Sequence, residues 1–274
     1  MAVKSSGATQ RIRKPAVAGS FYSDNPTELR QTIASYLAQA KKIEPSPALL
    51  ISPHAGYVFS GPVAATGYAS VDKNISTVII LGPSHYARFE GVSIADVDMF
   101  ETPLGLVPLN CDITSKLRAN PIVQSVPRAD APEHSVEVQN PFLQFVLGTF
   151  SIVPILTGNV DLSLVADMLL PYIDSSTLVV ASSDFSHYHA RNEARRLDDI
   201  SIHTILSDDG SGDIDACGEQ PIKVLMRLAR KLALSPVLLD ARSSFDTAPQ
   251  YGSGGGVVGY ASIAYIKKNS PEPA

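Results

Sequence analysis

The chain has 274 residues, 45% of them apolar, with 22 basic against 27 acidic residues for a formal charge of -5. That length and apolar content suit one α/β domain with a sizeable core, and the charges form no basic stripe of the kind nucleic acid demands. No apolar run approaches the roughly 20 residues that span a bilayer. The opening residues lack the apolar segment of a secretory signal, and two cysteines are too few for a disulfide framework, so a reducing cytoplasm is the expected setting.

Residues 1–12 and 269–274 read as flexible polar tails, and no linker or repeat divides the chain between them, so a single domain over 1–274 is expected. The first helix is signalled by Asn25 as its cap, Pro26 at its first position, and the helical spacing of Leu29, Ile33, Tyr36, Leu37 and Ala40. Short β-branched, apolar runs at 48–52, 77–82, 151–156, 177–182 and 237–240 have the character of strands buried on both faces. Helical patterns occupy 62–70, 112–119, 162–173, 193–206 and 221–232, and 257–267 reads as a late, longer strand of antiparallel type. This alternation predicts a mostly parallel central sheet with helices on both faces.

The chemistry gathers where three of these strands stop. Leu49-Leu50-Ile51-Ser52-Pro53 leads into His54, Ile79-Ile80-Leu81-Gly82-Pro83-Ser84 into His85, and Val179-Val180-Ala181-Ser182-Ser183-Asp184-Phe185-Ser186 into His187. In open α/β sheets ligands bind beyond the carboxyl ends of the strands, so histidines from distant segments are expected at one edge. A lone histidine after a strand is more often a loop hydrogen-bonder, and the spacing contains no HxxxH or CxxC metal signature. His187 and His189, two apart on an extended segment, point to opposite sides, so at most one faces the site.

Two further clusters stand out. Within Glu133-His134-Ser135-Val136-Glu137, a helix would place both carboxylates on one face a turn apart, which is equally the pattern of a solvated helix start. Cys217, just ahead of the helix that Pro221 can begin, is either a thiolate stabilised by the helix N-terminus or a small buried residue, whereas Cys111 is most simply structural.

Taken together, Pro53-His54-Ala55-Gly56-Tyr57, Gly82-Pro83-Ser84-His85, Glu133-His134-Ser135-Val136-Glu137, Ser182 to His187, Cys217-Gly218 with Pro221-Ile222, and the opening Lys14 to Tyr22 segment resemble the Memo family. Its bacterial and archaeal members are also called protein B of the AmmeMemoRadiSam system. The resemblance runs from Lys14 to about Tyr265. It implies a fold like that of the class III extradiol dioxygenases, with His54, His85 and Cys217 as metal ligands and Asp184 and His187 beside the ion. Those dioxygenases bind iron(II) through two histidines and a carboxylate. A thiolate in the carboxylate's place favours copper(I) or zinc more than iron(II) does, and dioxygenase activity does not follow from the fold.

Two functions are expected on this basis. One is a redox enzyme with iron, copper or zinc on His54, His85 and Cys217, in which His187, oriented by Asp184, transfers protons and His134 binds substrate or steadies an anion. The other is a non-enzymatic protein holding a peptide or a metal ion in the same cleft. Arg191, Arg195 and Arg196, the nearest candidates for capturing a phosphopeptide, have the spacing of a solvated helix face. The system's name implies a radical SAM protein as a partner, the substrate is a small molecule or peptide, and a homodimer is the base-rate expectation.

Overall fold

The computed structural model describes residues 10–210, 212–252 and 254–267. Its strands in chain order are β1 (Ile12–Arg13), β2 (Leu49–Ser52), β3 (Thr77–Pro83), β4 (Val92–Ser93), β5 (Met99–Thr102), β6 (Gly105–Pro108), β7 (Val123–Gln124), β8 (Ser151–Thr157), β9 (Thr177–Ser182), β10 (His187–His189), β11 (Leu234–Ser243) and β12 (Val257–Lys267). The α-helices are α1 (Pro26–Gln39), α2 (Tyr57–Tyr68), α3 (Cys111–Leu117), α4 (Pro127–Asp130), α5 (Asn140–Val146), α6 (Leu162–Leu169), α7 (Arg191–Leu206), α8 (Glu219–Leu232) and α9 (Ser244–Thr247).

The main sheet runs β10-β12-β2-β9-β3-β8-β4-β7, with β11 also paired to β12, while β1, β5 and β6 form a separate small sheet. The centre, β2-β9-β3-β8, is parallel, as the apolar runs predict. Its flanks are not: β12 is antiparallel to β2, β11 and β10, and β4 is antiparallel to β8. The sheet is therefore mixed, which corrects the mostly parallel expectation. The expected run at 237–240 is part of the longer β11, which is half-exposed instead of covered on both faces. Pro236, Asp240 and Arg242 suit it to that outer position beside β12, where one side of the strand needs no partner.

Successive side chains of the central strands feed two cores. Leu50, Val78, Ile80 and Val180 join Leu29 and Ile33 of α1, Tyr57 and Tyr68 of α2 and Phe142 of α5. Leu49, Ile51, Ile79, Leu81, Val179 and Ala181 join Val165 of α6, Ile205 of α7 and Leu225 of α8 on the other face. The two-residue period of a strand covered on both faces produces this division.

Local signals account for several helix ends. The Asn25 side chain accepts from the amides of Thr27 and Glu28, as its capping role requires. The helix expected at 62–70 instead begins at Tyr57, with Pro62 inside it. Its first turn follows directly from the His54 loop, and Tyr57 is pinned at the start by its amide bond to the Phe21 carbonyl. Residues 1–9 and 269–274 of the expected tails lie outside the described residues, whereas Arg11 bonds Asp98 and Ile12 pairs with Met99. Among the described residues, no helix is long and apolar enough to cross a membrane.

Candidate metal centre

The three histidine-bearing loops leave the carboxyl ends of β2, β3 and β9, and β9 lies between the other two, so the loops emerge side by side. Asp184 completes the junction by accepting from the backbone amides of His54 (2.8 Å) and Ala55 (3.3 Å). The loop ahead of α8 docks onto the same edge: the Cys217 amide bonds the Asp184 carbonyl at 3.2 Å, and the Gly218 amide bonds Ser183 Oγ at 2.9 Å. Only glycine fits there. A Cβ on Gly218 would stand 2.6 Å from Ser183 Cβ and 2.7 Å from the Ser182 carbonyl oxygen.

Within this junction His54 Nε2 lies 3.3 Å from Cys217 Sγ, and ligand atoms of His54, His85 and Cys217 fall within 4.8 Å of one another. Zinc-type bond lengths at tetrahedral angles separate ligand atoms by about 3.3–3.6 Å, so a small closure of this triad encloses an ion. Each imidazole is anchored through Nδ1: that of His54 meets Ser182 Oγ at 2.9 Å, and that of His85 meets the Glu133 carboxylate at 2.9 Å. A carboxylate accepts only, so His85 donates from Nδ1, which leaves Nε2 as its ring atom able to meet an ion. The donor set fits a metal ion on these grounds.

Glu133 and Glu137 do not share a helix face. Residues 131–132 and 135–136 form turns with Glu133 and His134 in irregular backbone between them, and only Glu137–Gln139 begin a 3-10 turn. The peptide is drawn out of helical form because the two carboxylates serve opposite masters. Glu133 accepts from the amides of His85, His134 and Ser135 and from the His85 ring. Glu137 accepts from Arg13, from the amides of Ala16 and Val17, and from the Tyr22 hydroxyl. A second geometric grouping of His85, Glu133 and His134 shares the same corner. Glu133 already receives four N–H groups, so we assign it to supporting His85 instead of binding an ion.

Electrostatics follow burial. Burial lowers His54 to about 3 and His134 to about 4, so both rings are neutral near pH 7. Burial works against the Glu133 carboxylate, but the hydrogen bonds and charge of His85 outweigh it and hold the group at about 2. Asp184 is raised by burial, which its bonds from the His54 and Ala55 amides only partly oppose. Of the two readings of Cys217, the structure favours the buried residue: burial, reinforced by the Asp184 charge, pushes the thiol up to about 12.

His134 stacks on His85 with ring centroids 4.7 Å apart and meets His54 edge-on at 5.3 Å, so it belongs to the same cluster. His187 acts electrostatically on both His54 and Asp184, whereas His189 turns away toward Asp215, as the alternation predicts. Among the described residues no hydrogen bond joins Asp184 to His187; the Asp184 carboxylate holds the His54 backbone. Tyr188, next to His187, is 76% exposed and has φ of 62°, a costly conformation for a bulky residue. A cleft of about 690 Å³ opens against Cys217, walled by Ser84, Arg88, Phe89, Thr157 and Pro221. Cys111 is exposed at the start of α3 and takes no part in the triad.

Sequence reasoning missed Ser182, Gln139 and Arg13. Ser182 and Asp184 occur in one motif, so Ser182 carried a local signal; Gln139 and Arg13 carried none, since their partners lie 43 and 124 residues away.

The family model described as Memo-like protein matches residues 13–264. A MEMO1 family protein of Sulfolobus acidocaldarius is 38% identical over 285 residues, covering 93% of this chain and 99% of its own. Similar proteins of Thermoplasma volcanium and Pyrobaculum aerophilum, also described as MEMO1 family proteins, are each 36% identical over 94% of this chain and at least 99% of their own.

Proposed function

The chain belongs to the Memo-like protein family, and on that premise we propose that it is a metal-dependent oxidoreductase whose ion is held by His54, His85 and Cys217. The observation that carries this reading is the convergence of two Nδ1-anchored imidazoles on the Cys217 sulfur. Three protein ligands leave a coordination position open, which is the mark of a catalytic rather than a structural site. When bound, the ion supplies Lewis-acid or one-electron chemistry, and a thiolate donor favours copper(I) or zinc over iron(II).

The chain's own residues divide the remaining work. Glu133 orients His85, and Asp184 fixes the backbone of His54. His134, neutral and packed on His85, is placed to exchange a proton with a bound substrate, and His187 lies within electrostatic reach of the same point. The cleft beside Cys217 admits a small substrate. We read the fold as that of the class III extradiol dioxygenases, supported by ligand loops at the carboxyl ends of adjacent parallel strands. Protein purified without chelator is analysed for metal and for dioxygen uptake. Stoichiometric metal that is lost in His54→Ala, with uptake on substrate addition, supports the proposal. Metal without turnover reduces it to metal holding, and no metal in either protein overturns it.

A further inference from the structure

We propose that Gln139 and Ser182 are positioning residues that fix His54 as the Nδ1–H tautomer and so turn its bare Nε2 toward Cys217. The inference rests on reading His54 as a metal ligand, and it follows from five hydrogen bonds whose directions can be assigned one after another. Gln139 Nε2 lies 3.0 Å from the Pro53 carbonyl oxygen, which can only accept, so that atom is the amide nitrogen. The opposite amide orientation would set two oxygens against each other. The same assignment gives Gln139 Oε1 the Tyr68 hydroxyl as donor, at 2.6 Å.

The second N–H of Gln139 points to Ser182 Oγ at 2.7 Å, and the Ser182 hydroxyl has one partner that can only accept, the Ser135 carbonyl at 2.6 Å. Its proton is committed there. Both remaining lone pairs of Ser182 therefore receive, one from Gln139 and one from His54 Nδ1 at 2.9 Å. His54 must carry hydrogen on Nδ1. Tyr68, Gln139, Ser182 and His54 are all buried, so no water competes for these groups.

The two imidazoles are consequently tuned differently. His85 donates to a carboxylate, which raises its basicity as a ligand, whereas His54 donates to a neutral hydroxyl that is itself held in place by an amide. Removing Ser182 frees the competing tautomer, whose Nε2–H would point at the Cys217 sulfur 3.3 Å away, whereas removing the Gln139 amide loosens Ser182 but leaves its proton on the Ser135 carbonyl.

The test reads the tautomer directly. Long-range proton–nitrogen correlation spectra of the full-length, chelator-treated protein labelled at histidine nitrogen show which ring nitrogen of His54 bears hydrogen. Wild type is expected to show Nδ1–H, Ser182→Ala is expected to shift His54 toward Nε2–H, and Gln139→Leu is expected to keep Nδ1–H because the Ser135 carbonyl still holds the Ser182 proton. Cobalt(II) titration, followed by the thiolate charge-transfer band, should show affinity about 10–100-fold weaker in Ser182→Ala and a smaller loss in Gln139→Leu. An Nε2–H tautomer in wild type overturns the proposal without recourse to any variant. So does a Ser182→Ala protein whose tautomer and cobalt affinity both match wild type. If wild type shows Nδ1–H but binds no cobalt, the metal reading fails and the tautomer assignment stands.

Discussion

Arg13→Met should destabilise the protein substantially, although Arg13 touches no candidate ligand. Its side chain is 6% exposed, and its guanidinium bonds Glu137 Oε2 at 2.7 Å, the Asp130 carbonyl at 3.0 Å, the Ala131 carbonyl at 3.3 Å and the Glu133 carbonyl. Glu137 is fully buried, so removing the arginine strands a carboxylate in the interior. Breaking a buried pair in this way costs about 3–5 kcal/mol. The low end applies, because Glu137 keeps its bonds from the Ala16 and Val17 amides and the Tyr22 hydroxyl. At about 2–4 °C per kcal/mol for a chain of this size, the midpoint of thermal unfolding should fall by roughly 6–12 °C. Calorimetry or circular dichroism measures it. Adding Glu137→Gln to Arg13→Met removes the stranded charge while keeping a side-chain acceptor for the Ala16 and Val17 amides, and should recover part of the loss. A single variant that melts within about 2 °C of wild type would refute the reasoning.

Three further outcomes follow from the site. Glu133→Gln leaves the His85 ring without its charged acceptor and should weaken zinc binding about 10–100-fold, read by competition with a chromophoric chelator; unchanged affinity would return Glu133 to a purely structural role. Gly218→Ala forces the Cys217 loop off the end of β9 and should lower metal affinity at least about tenfold with the fold retained, as judged by far-ultraviolet circular dichroism and metal titration. Cys217 enters as a thiol, pushed up to about 12, and leaves as a metal thiolate, while His54, at about 3, is already neutral. Binding should then release close to one proton, so affinity rises about tenfold per pH unit through the neutral range. Titration calorimetry in buffers of different ionisation enthalpy detects that proton, and a buffer-independent heat would count against it.

Much of the fold was legible because its signals are local. Asn25 and Pro26 mark the start of α1, and 257–267 matches β12 to the residue. The histidines could be placed at one edge because each follows an apolar run that stops at a proline or serine, and strand ends meet there in any such sheet. Legibility ended where the deciding partner is distant in sequence. The Glu133 to Glu137 segment has helical spacing, but the His85 ring and the Arg13 guanidinium pull its carboxylates apart. Cys217 precedes a helix, and burial beside Asp184 outweighs the helix N-terminus. Pro62 suggested a helix start because proline suits that position, while the preceding turn is set by the bond between the Tyr57 amide and Phe21.

The central claim is the ligand set, and X-ray absorption at the metal edge of zinc-loaded protein tests it most directly. The account predicts one sulfur at about 2.3 Å and at least two imidazole nitrogens at about 2.0–2.1 Å, with the sulfur shell lost in Cys217→Ser. A first shell of nitrogen and oxygen alone in the wild-type protein would contradict it.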